Sequence, residues 1–252
     1  TPVLTSRTLD QQVAGRMFLK AESLQRAGAF KFRGAYNKTA SLSEEELEQG
    51  VITLSSGNHA QALGLASRLC RTNAVVLMPE DAPASKLEAT RAYGAEVILF
   101  DRYAEDFEEL LHRVAAERHL TAVHPFDDWS VIAGQGTIGL EILRQHPRPI
   151  DAIFVPVGGG GLISGVAAYV KSINRRIRIV GVEPVDADAM ARSLRAGRRG
   201  RLEHVGLFAD GVAVKEVGRE TFRLCRRLVD EMVLADTDEM CAAIKDVFGD
   251  TR

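Results

Sequence analysis

Short apolar runs rich in β-branched residues alternate with amphipathic segments along most of this sequence. The runs predict strands, and the spacing of apolar residues between them predicts helices. Predicted strands cover residues 51–54, 74–78, 96–100, 121–124, 153–157, 178–182 and 232–235. Predicted helices cover residues 58–70, 85–93, 103–118, 129–144, 187–196, 219–228 and 237–248, and another begins at Leu162. Because a helix follows each strand, the sequence predicts an α/β fold of mostly parallel sheets flanked by helices.

Weaker patterns predict the remaining elements. Residues 16–20 alternate as a short strand does, and residues 32–40 suit a helix. Ser43 precedes three glutamates, which indicates an N-cap followed by an acidic first turn. We also expect Thr237 to cap the last helix. The glycines of Gly134-Gln135-Gly136 are expected at the entry of the helix over residues 129–144.

Composition narrows the class of protein. The chain has 252 residues, of which 46% are hydrophobic and 26% charged, and its net charge is -2, as in ordinary globular proteins. Neither a nucleic-acid partner nor a membrane surface is expected, and the basic run 195–201 is interpreted as a solvated loop. The odd cysteine count, three, and the lack of a C-x-x-C spacing argue against a disulfide framework or zinc site. They favour a reducing compartment, so we expect a cytoplasmic protein, although a targeting segment could precede Thr1.

Four consecutive glycines, Gly158 to Gly161, follow the predicted strand 153–157. They let an anion approach the backbone closely, and the helix after them offers unpaired N–H groups. The run matches neither the dinucleotide-binding fingerprint nor the P-loop, whose lysine is absent. A tight turn would need only one or two glycines, so four favour an anion site.

A polar loop, Ser55-Ser56-Gly57-Asn58-His59, follows the predicted strand 51–54. Its hydroxyl, amide and backbone N–H groups could hold a carboxylate or a ring hydroxyl. Serine and asparagine are also usual helix N-caps, and taken alone the loop fits a cap better than a binding site.

Lys31 lies between Phe30 and Phe32, just after Gly28-Ala29, where a loop enters a predicted helix. Most lysines lie at the surface. A reactive amine instead needs a desolvated place that lowers its pKa, and two aromatic neighbours are consistent with one. A lysine, an anion site and a polar loop together suggest a pyridoxal phosphate (PLP) enzyme.

Taken together, these motifs carry a resemblance that covers nearly all 252 residues. In order and spacing the chain resembles the fold-type II PLP-dependent enzymes, and within them the biosynthetic threonine dehydratases. The matching segments are Glu22-x-x-Gln25-x-x-Gly28-x-Phe30-Lys31-x-Arg33-Gly34-Ala35, Ser56-Gly57-Asn58-His59, the tetraglycine, residues 131–137 (VIAGQGT) and residues 205–215 (VGLFADGVAVK).

For the cofactor, pyridoxal 5′-phosphate, the resemblance implies specific contacts. Lys31 would form the Schiff base, Phe30 would pack on the pyridine ring, and Asn58 would bond the ring's 3′-oxygen. Gly211 would lie near the opposite ring face. The phosphate would rest on backbone N–H groups of Gly158, Gly159, Gly160, Gly161 and Leu162.

For catalysis, the resemblance implies Lys31 as the general base, with Ser56 as a second catalytic residue. The loop of Ser55, Ser56, Asn58 and His59 would grip the substrate carboxylate. Residues 124–128 would influence substrate choice. The implied reaction converts L-threonine to 2-oxobutanoate and ammonia, and L-serine to pyruvate, as the first step of isoleucine biosynthesis. A serine racemase or dehydratase, a β-replacement enzyme and a non-catalytic PLP-binding module remain alternatives.

The resemblance also implies two domains, in a tryptophan synthase β-like arrangement. Residues 1–52 and 130–252 would form the large PLP-binding domain and residues 53–129 the small one. A homo-oligomer, in relatives often a tetramer, is expected. In relatives the residue that contacts the pyridine nitrogen comes later in the chain, so its equivalent is expected beyond Arg252, and the sequence given is interpreted as a fragment or a truncated protein.

Two positions depart from the family pattern. Ala29 stands where a serine is usual, which removes one hydroxyl near the cofactor. The loop from Glu183 to Ala189 is similar to a cation-binding loop of racemase-like relatives, but Ala189 replaces their second carboxylate. We therefore interpret the loop as solvated and acidic, and expect no metal.

Overall fold

The computed structural model describes residues 1–101, 107–206 and 208–250, in which strands and helices alternate. The strands are β1 (Val3–Thr5), β2 (Phe18–Lys20), β3 (Val51–Leu54), β4 (Ala74–Pro79), β5 (Glu96–Phe100), β6 (Thr121–Ala122), β7 (Ala152–Pro156), β8 (Arg178–Pro184) and β9 (Glu231–Ala235). The helices are α1 (Arg7–Gln12), α2 (Lys31–Ala40), α3 (Glu44–Gln49), α4 (Asn58–Cys70), α5 (Ala84–Ala92), α6 (Phe107–Glu117), α7 (Trp129–Gln145), α8 (Gly161–Ile173), α9 (Ala189–Ala196), α10 (Arg219–Leu228) and α11 (Thr237–Asp250). Single 3-10 turns cover Glu22–Leu24, Arg26–Gly28 and Asp210–Val212.

The predicted strand–helix alternation is confirmed, and the described ends lie within two residues of the predicted ones. The predicted start of one helix, Tyr103, lies outside the described residues. Helix α1 was not predicted, because six residues are too few to show a helical period. The α/β fold class, with parallel sheets flanked by helices, is confirmed.

The chain divides into two compact units. Residues 1–24 and those from Gly136 onward form the first unit, and Gln25–Gln135 form the second. The predicted small domain, 53–129, falls within the second unit, which also takes in residues 25–52 and 130–135. They join it because α2 packs on α4, where Phe32 and Ala35 meet Ala62, Leu65 and Ala66 in one cluster. The domain borders implied by the resemblance stay a prediction.

The second unit is built on a parallel sheet in the order β5-β4-β3-β6. All six residues of β4 are buried, as expected for a central strand covered on both faces. Val76 and Met78 pack into one apolar cluster, and Val75 and Leu77 into another. Because successive side chains of a strand point to opposite faces, this alternation gives the sheet a core on each side.

The first unit contains a parallel sheet in the order β7-β8-β9 and an antiparallel pair, β1-β2. Its core includes Val155, Ile163, Val166 and Ile179, which are at most 4% exposed.

Cys225 of α10 is buried beside Ser164 of α8, with Sγ and Oγ 3.5 Å apart. Burial raises the pKa of the Cys225 thiol to about 12. All three cysteines are free, and Cys241 is exposed.

Of the two helix caps that the sequence predicts, one is confirmed and one is wrong. Ser43 caps α3, as predicted, and the structure adds that the cap is a reciprocal capping box with Glu46. At α11, Asp236 rather than Thr237 is the cap: its Oδ1 accepts from Glu239 N, and Glu239 Oε2 accepts from Asp236 N. An aspartate one position earlier completes the same box with the same glutamate, so the predicted cap was wrong by one residue.

The glycines of Gly134-Gln135-Gly136 lie in the interior of α7, not at its entry, so that prediction was wrong. Their role is close packing. A Cβ on Gly134 would lie 2.5 Å from Arg33 O of α2, and one on Gly136 would lie 3.0 Å from Gly165 O of α8. Backbone-to-backbone contacts this short leave no room for a side chain.

Among the described residues, no helix is both long enough and apolar enough to cross a bilayer.

Candidate active site

The segment before Lys31 turns sharply into α2. Ala27 and Gly28 both have left-handed backbone angles, with φ of 56° and 68°, and Ala29 is extended. Glycine adopts such angles without the steric cost that a side chain brings. The turn ends at Phe30, so Lys31 is the first residue of α2.

Close packing one turn later holds the start of α2 in place. A Cβ on Gly34 would lie 2.7 Å from Val131 O, and one on Gly134 would lie 2.6 Å from Gly34 Cα. The backbones of α2 and α7 therefore touch at these glycines. Sequence analysis quoted both glycines as family motifs and did not foresee that they pack together.

The amine of Lys31 is desolvated and oriented. Its Nζ donates a hydrogen bond to Pro125 O at 2.8 Å and lies 5.4 Å from the centre of the Phe30 ring. The residue as a whole is only half-buried, but burial of the amine lowers the pKa of Lys31 to about 8. Such an amine is partly neutral near physiological pH, as a nucleophile or a base must be.

Of the two aromatic neighbours, only Phe30 faces the amine. Phe32 is buried in the cluster with Ala35 and Ala62, and its ring stacks on Tyr36 with centroids 5.5 Å apart. Positions two apart on a helix point in different directions, which the one-dimensional motif hides. The desolvated setting that the aromatic neighbours suggested is therefore present, and Phe30 is the neighbour whose ring lies beside the amine.

The polar loop joins β3 to α4 without a side-chain cap. Gly57 is the N-cap residue, and among the described residues α4 has no side-chain cap hydrogen bond. Ser55 Oγ accepts instead from Gly57 N at 3.3 Å, within the loop. Asn58 is exposed at the first helical position. The capping explanation for these residues thus does not hold, and the helix start keeps N–H groups that suit an anion.

His59 lies beneath this loop and is 2% exposed. Its Nε2 is 3.2 Å from Val123 O, and among the described residues its Nδ1 is buried with no hydrogen-bond partner. Burial, reinforced by the nearby Lys31 charge and opposed by the bond to Val123 O, lowers the pKa of His59 to about 3. The imidazole is therefore neutral, and its predicted contact with a substrate carboxylate stays a prediction.

The segment after β6 brings these groups together. Val123 O lies against His59 and also accepts from Thr53 Oγ1 at 2.8 Å, while Pro125 O holds Lys31. Within the same turn His124 Nδ1 accepts from Asp127 N at 2.8 Å. Sequence analysis linked residues 124–128 to substrate choice and missed the bond between Pro125 O and the lysine.

In the first unit, the tetraglycine connects β7 to α8. Gly160 has φ of 94°, and a Cβ there would lie 2.7 Å from Met190 Cε and 2.9 Å from Thr221 Cβ. A Cβ on Gly158 would lie 3.0 Å from Val212 Cα. Helix α8 begins at Gly161 and runs for 13 residues, and within the described part of the chain it has no side-chain cap hydrogen bond. The loop therefore presents backbone N–H groups at a helix start, as an anion site requires.

Gly211 lies in the exposed 3-10 turn Asp210–Val212, with open space around the position of a Cβ. Its neighbour Val212 packs against Gly158, so the structure brings this turn to the glycine loop. Sequence analysis did not foresee the contributions of Met190, Val212 and Thr221 to seating the loop, because they lie 30 to 62 positions from the glycines they touch.

The prediction of a solvated loop from Glu183 to Ala189 was wrong at Glu183, which has a structural task. It is fully buried, and its carboxylate oxygens accept from Met190 N at 2.9 Å and Ala191 N at 2.8 Å, at the start of α9. Burial outweighs these bonds and raises the pKa of Glu183 to about 7. In the part of the chain that the structure describes, no three His, Cys, Asp or Glu side chains are grouped to hold a metal ion. The expectation of no metal stays a prediction.

Each unit carries one feature that suits a group of a phosphorylated aldehyde cofactor. The second unit has a desolvated lysine, whose amine suits an aldehyde, and the first unit has a glycine loop at a helix start, which suits a phosphate. The comparison with known families agrees. Residues 1–252 match the family described as pyridoxal-phosphate dependent enzyme, and the chain belongs to that family. The cofactor of the family is pyridoxal 5′-phosphate.

Individual relatives are more specific. The chain is 52% identical to a biosynthetic L-threonine dehydratase of Burkholderia multivorans, with 100% of this chain and 50% of the relative covered. It is 49% identical to a biosynthetic, chloroplastic threonine dehydratase of Arabidopsis thaliana, with 100% and 43% covered. The chain thus spans about half the length of these relatives.

Two solved structures share the fold. The processed form of threonine deaminase isoform 2 from Solanum lycopersicum has a TM-score of 0.94 and 44% identity, over 99% of this chain and 73% of that one. Maize serine racemase has a TM-score of 0.96 and 41% identity, over 100% of this chain and 76% of that one. The resemblance to fold-type II enzymes and to biosynthetic threonine dehydratases is therefore confirmed.

Proposed function

We propose that this chain carries out the PLP-dependent deamination of L-threonine to 2-oxobutanoate and ammonia, and that it also converts L-serine to pyruvate. The observation that carries the proposal is Lys31, whose amine is oriented by Pro125 O and has its pKa lowered to about 8. The choice of threonine follows the relatives, which are threonine dehydratases at 52% and 49% identity.

We propose that different residues hold different parts of the cofactor. From the family resemblance, Lys31 would hold the aldehyde end, and the N–H groups from Gly158 to Leu162 would hold the phosphate. Phe30 lies beside the amine, where its ring suits contact with a flat aromatic ring. Asn58 and Gly211 are proposed, from the family resemblance, for the 3′-oxygen and the second ring face.

Bound PLP supplies a conjugated ring that accepts electron density from the substrate Cα. Lys31 Nζ removes the Cα proton. At a pKa of about 8, about one amine in ten is neutral at pH 7, against roughly one in a few thousand for an unperturbed lysine. Neutral His59 adds no positive charge beside it. In the free amine, the bond to Pro125 O fixes the direction of Lys31 Nζ before the cofactor arrives.

The loop at the start of α4 holds the substrate carboxylate. Ser55, Ser56 and the uncapped N–H groups offer donors to an anion, and Asn58 is exposed at the same helix end. Ser56 is proposed as the second catalytic residue. The β-hydroxyl leaves as water and a later water replaces the amine, so threonine yields 2-oxobutanoate and ammonia with no net water consumed.

The proposal is tested with the purified full-length protein, PLP and L-threonine. We expect stoichiometric 2-oxobutanoate and ammonia, and we expect borohydride to fix the cofactor to the peptide that contains Lys31. Mass spectrometry of the digest identifies the modified lysine, with Lys245, an exposed lysine of α11, as the internal reference. Cofactor fixed elsewhere, or no ammonia from threonine, overturns the proposal.

Serine racemisation is the second candidate, because maize serine racemase matches at a TM-score of 0.96. Incubation of the same protein with L-serine distinguishes the two. Pyruvate and ammonia without D-serine support deamination, and D-serine as the main product supports the racemase.

A cytoplasmic location, a homotetramer and a place at the start of isoleucine synthesis are proposed from the resemblance to threonine dehydratases. Light scattering coupled to size exclusion measures the oligomer. A monomer at assay concentration would contradict the tetramer without affecting the proposed chemistry.

A further inference from the structure

A buried hydroxyl group of α10 donates a hydrogen bond to the glycine loop. Thr221, in the first turn of α10, is 0% exposed, and its Oγ1 donates to Gly159 O at 2.6 Å. Gly218 N, at the N-cap of α10, donates to the same carbonyl at 3.3 Å. Two donors on one helix end therefore hold the Gly159 carbonyl toward α10.

The direction of that carbonyl decides where the next N–H group points. In a trans peptide the C=O and the following N–H lie in one plane and point in opposite directions. With Gly159 O turned toward α10, the N–H of Gly160 points away from α10. Gly160 is the N-cap of α8, so this N–H adds to the free donors at the start of that helix.

Close contacts around Thr221 fix the glycine loop in one position. A Cβ on Gly160 would lie 2.9 Å from Thr221 Cβ and 3.0 Å from its Oγ1. The Thr221 carbonyl also accepts from Ser164 Oγ of α8 at 3.2 Å. One residue thus contacts the loop and binds the helix that follows it.

We propose that Thr221 is a positioning residue for phosphate binding: its hydroxyl sets the orientation of the Gly159–Gly160 peptide and thereby aims the Gly160 N–H at the phosphate of the cofactor. This inference rests on the proposed function of the glycine loop. Thr221 acts through the backbone and does not itself touch the cofactor.

Thr221→Val removes the hydroxyl and keeps the shape of the side chain. The new methyl needs about 3.3 Å or more from Gly159 O, where the hydroxyl lies at 2.6 Å, so the carbonyl must shift. Loss of one buried hydrogen bond of this kind predicts about tenfold weaker binding of PLP. Thr221→Ser keeps the donor and should restore affinity to within about threefold.

The experiment titrates apo-protein, prepared by removing the cofactor with hydroxylamine, with PLP and separately with pyridoxal. Pyridoxal carries the aldehyde and lacks the phosphate. In Thr221→Val we expect PLP affinity to fall about tenfold while pyridoxal affinity stays within about twofold. The matched control is Thr90→Val, the same change at a fully buried threonine whose hydroxyl bonds Lys86 O within α5.

The outcomes separate the two claims. Equal loss of PLP and pyridoxal affinity in Thr221→Val, a loss of the same size in Thr90→Val, or unchanged PLP affinity overturns the role of Thr221. Each of these leaves the proposed function standing as long as the wild-type protein binds PLP. A wild-type protein that does not prefer PLP to pyridoxal overturns the phosphate assignment of the glycine loop itself.

Discussion

The lysine region and the glycine loop are built on opposite physical principles. Around Lys31, side chains and carbonyls desolvate one amine, and its chemistry depends on a pKa lowered to about 8. In the glycine loop the absence of side chains matters, because a Cβ on Gly160 would collide with Met190 and Thr221. A reactive group needs an environment that changes its protonation, whereas an anion cradle needs backbone that can come close and stay fixed.

Lys31→Ala should have the largest effect and tests most directly whether the lysine region serves chemistry rather than folding. We expect turnover of threonine to fall at least about a thousandfold, because no other amine replaces the base. The free energy of unfolding should change by about 1 kcal/mol or less, since the loss of the hydrogen bond to Pro125 O and of the contact with the Phe30 ring is partly offset by removal of a desolvated amine. Product assays and urea unfolding measure the two quantities. A variant with residual turnover near wild type would remove Lys31 from the mechanism.

Gly160→Ala should show the reverse pattern, with a large effect on folding. The new Cβ meets Met190 Cε at 2.7 Å and the backbone φ is 94°, so we expect a loss of about 3 kcal/mol in unfolding free energy. Gly197→Ala is the matched control, because Gly197 also has positive φ, 70°, but open space around it. It should lose only about 1 kcal/mol. Equal losses would mean that strain, not crowding, explains the glycine.

His59, near Lys31, and Glu183, which bonds the start of α9, should change the free energy of unfolding in opposite directions on acidification. His59 has a pKa of about 3 when folded, below its unfolded value, so it contributes stability that is lost as pH falls from about 6.5 toward 3. Glu183 has a pKa raised to about 7, so its contribution is present at low pH and is lost as pH rises from about 4.5 to 7. Between pH 6.5 and 4.5 the two oppose each other.

His59→Gln removes one of these contributions. Acidification from pH 6.5 to 4.5 should lower the unfolding free energy of the wild type by about 2 to 3 kcal/mol relative to that of the variant, at about 1.4 kcal/mol per pH unit. Urea unfolding at both pH values gives the difference. Parallel pH profiles for variant and wild type would show that His59 is not held neutral.

The smallest effect is expected at the loop of α4. Ser55→Ala removes one long hydrogen bond, 3.3 Å from Gly57 N, so stability should fall by less than about 1 kcal/mol. If the loop holds the carboxylate, KM for threonine should rise several-fold. Ser172→Ala, at an exposed serine of α8, serves as the control for both measurements. Unchanged KM would limit Ser55 to shaping the turn.

Sequence reasoning recovered what local pattern encodes. The alternation of strand and helix, the N-cap at Ser43 and the positions of the lysine and the glycines all follow from residue types and spacing. It failed where distant segments meet. Pro125 O bonds Lys31 across 94 positions, and Thr221 bonds Gly159 O across 62 positions. A single sequence contains no local pattern that predicts such pairs.

Two local features could not be placed from neighbours in the sequence. Phe32 neighbours Lys31 in sequence but turns into the core, and the glycines of α7 look like a loop yet lie within a helix. In each case tertiary packing decides between two readings that local chemistry permits. The motif identifies the residues, and only the fold shows which of them share a surface.

The depth at which Cys225 lies has a practical consequence for thiol chemistry. With a pKa of about 12, about one molecule in 100,000 carries the thiolate at pH 7, so alkylating reagents and peroxide have almost nothing to attack. Cys241, exposed on α11, is the accessible counterpart. A maleimide dye added to the folded protein should therefore attach there first, and labelling of Cys225 would report that the first unit has opened.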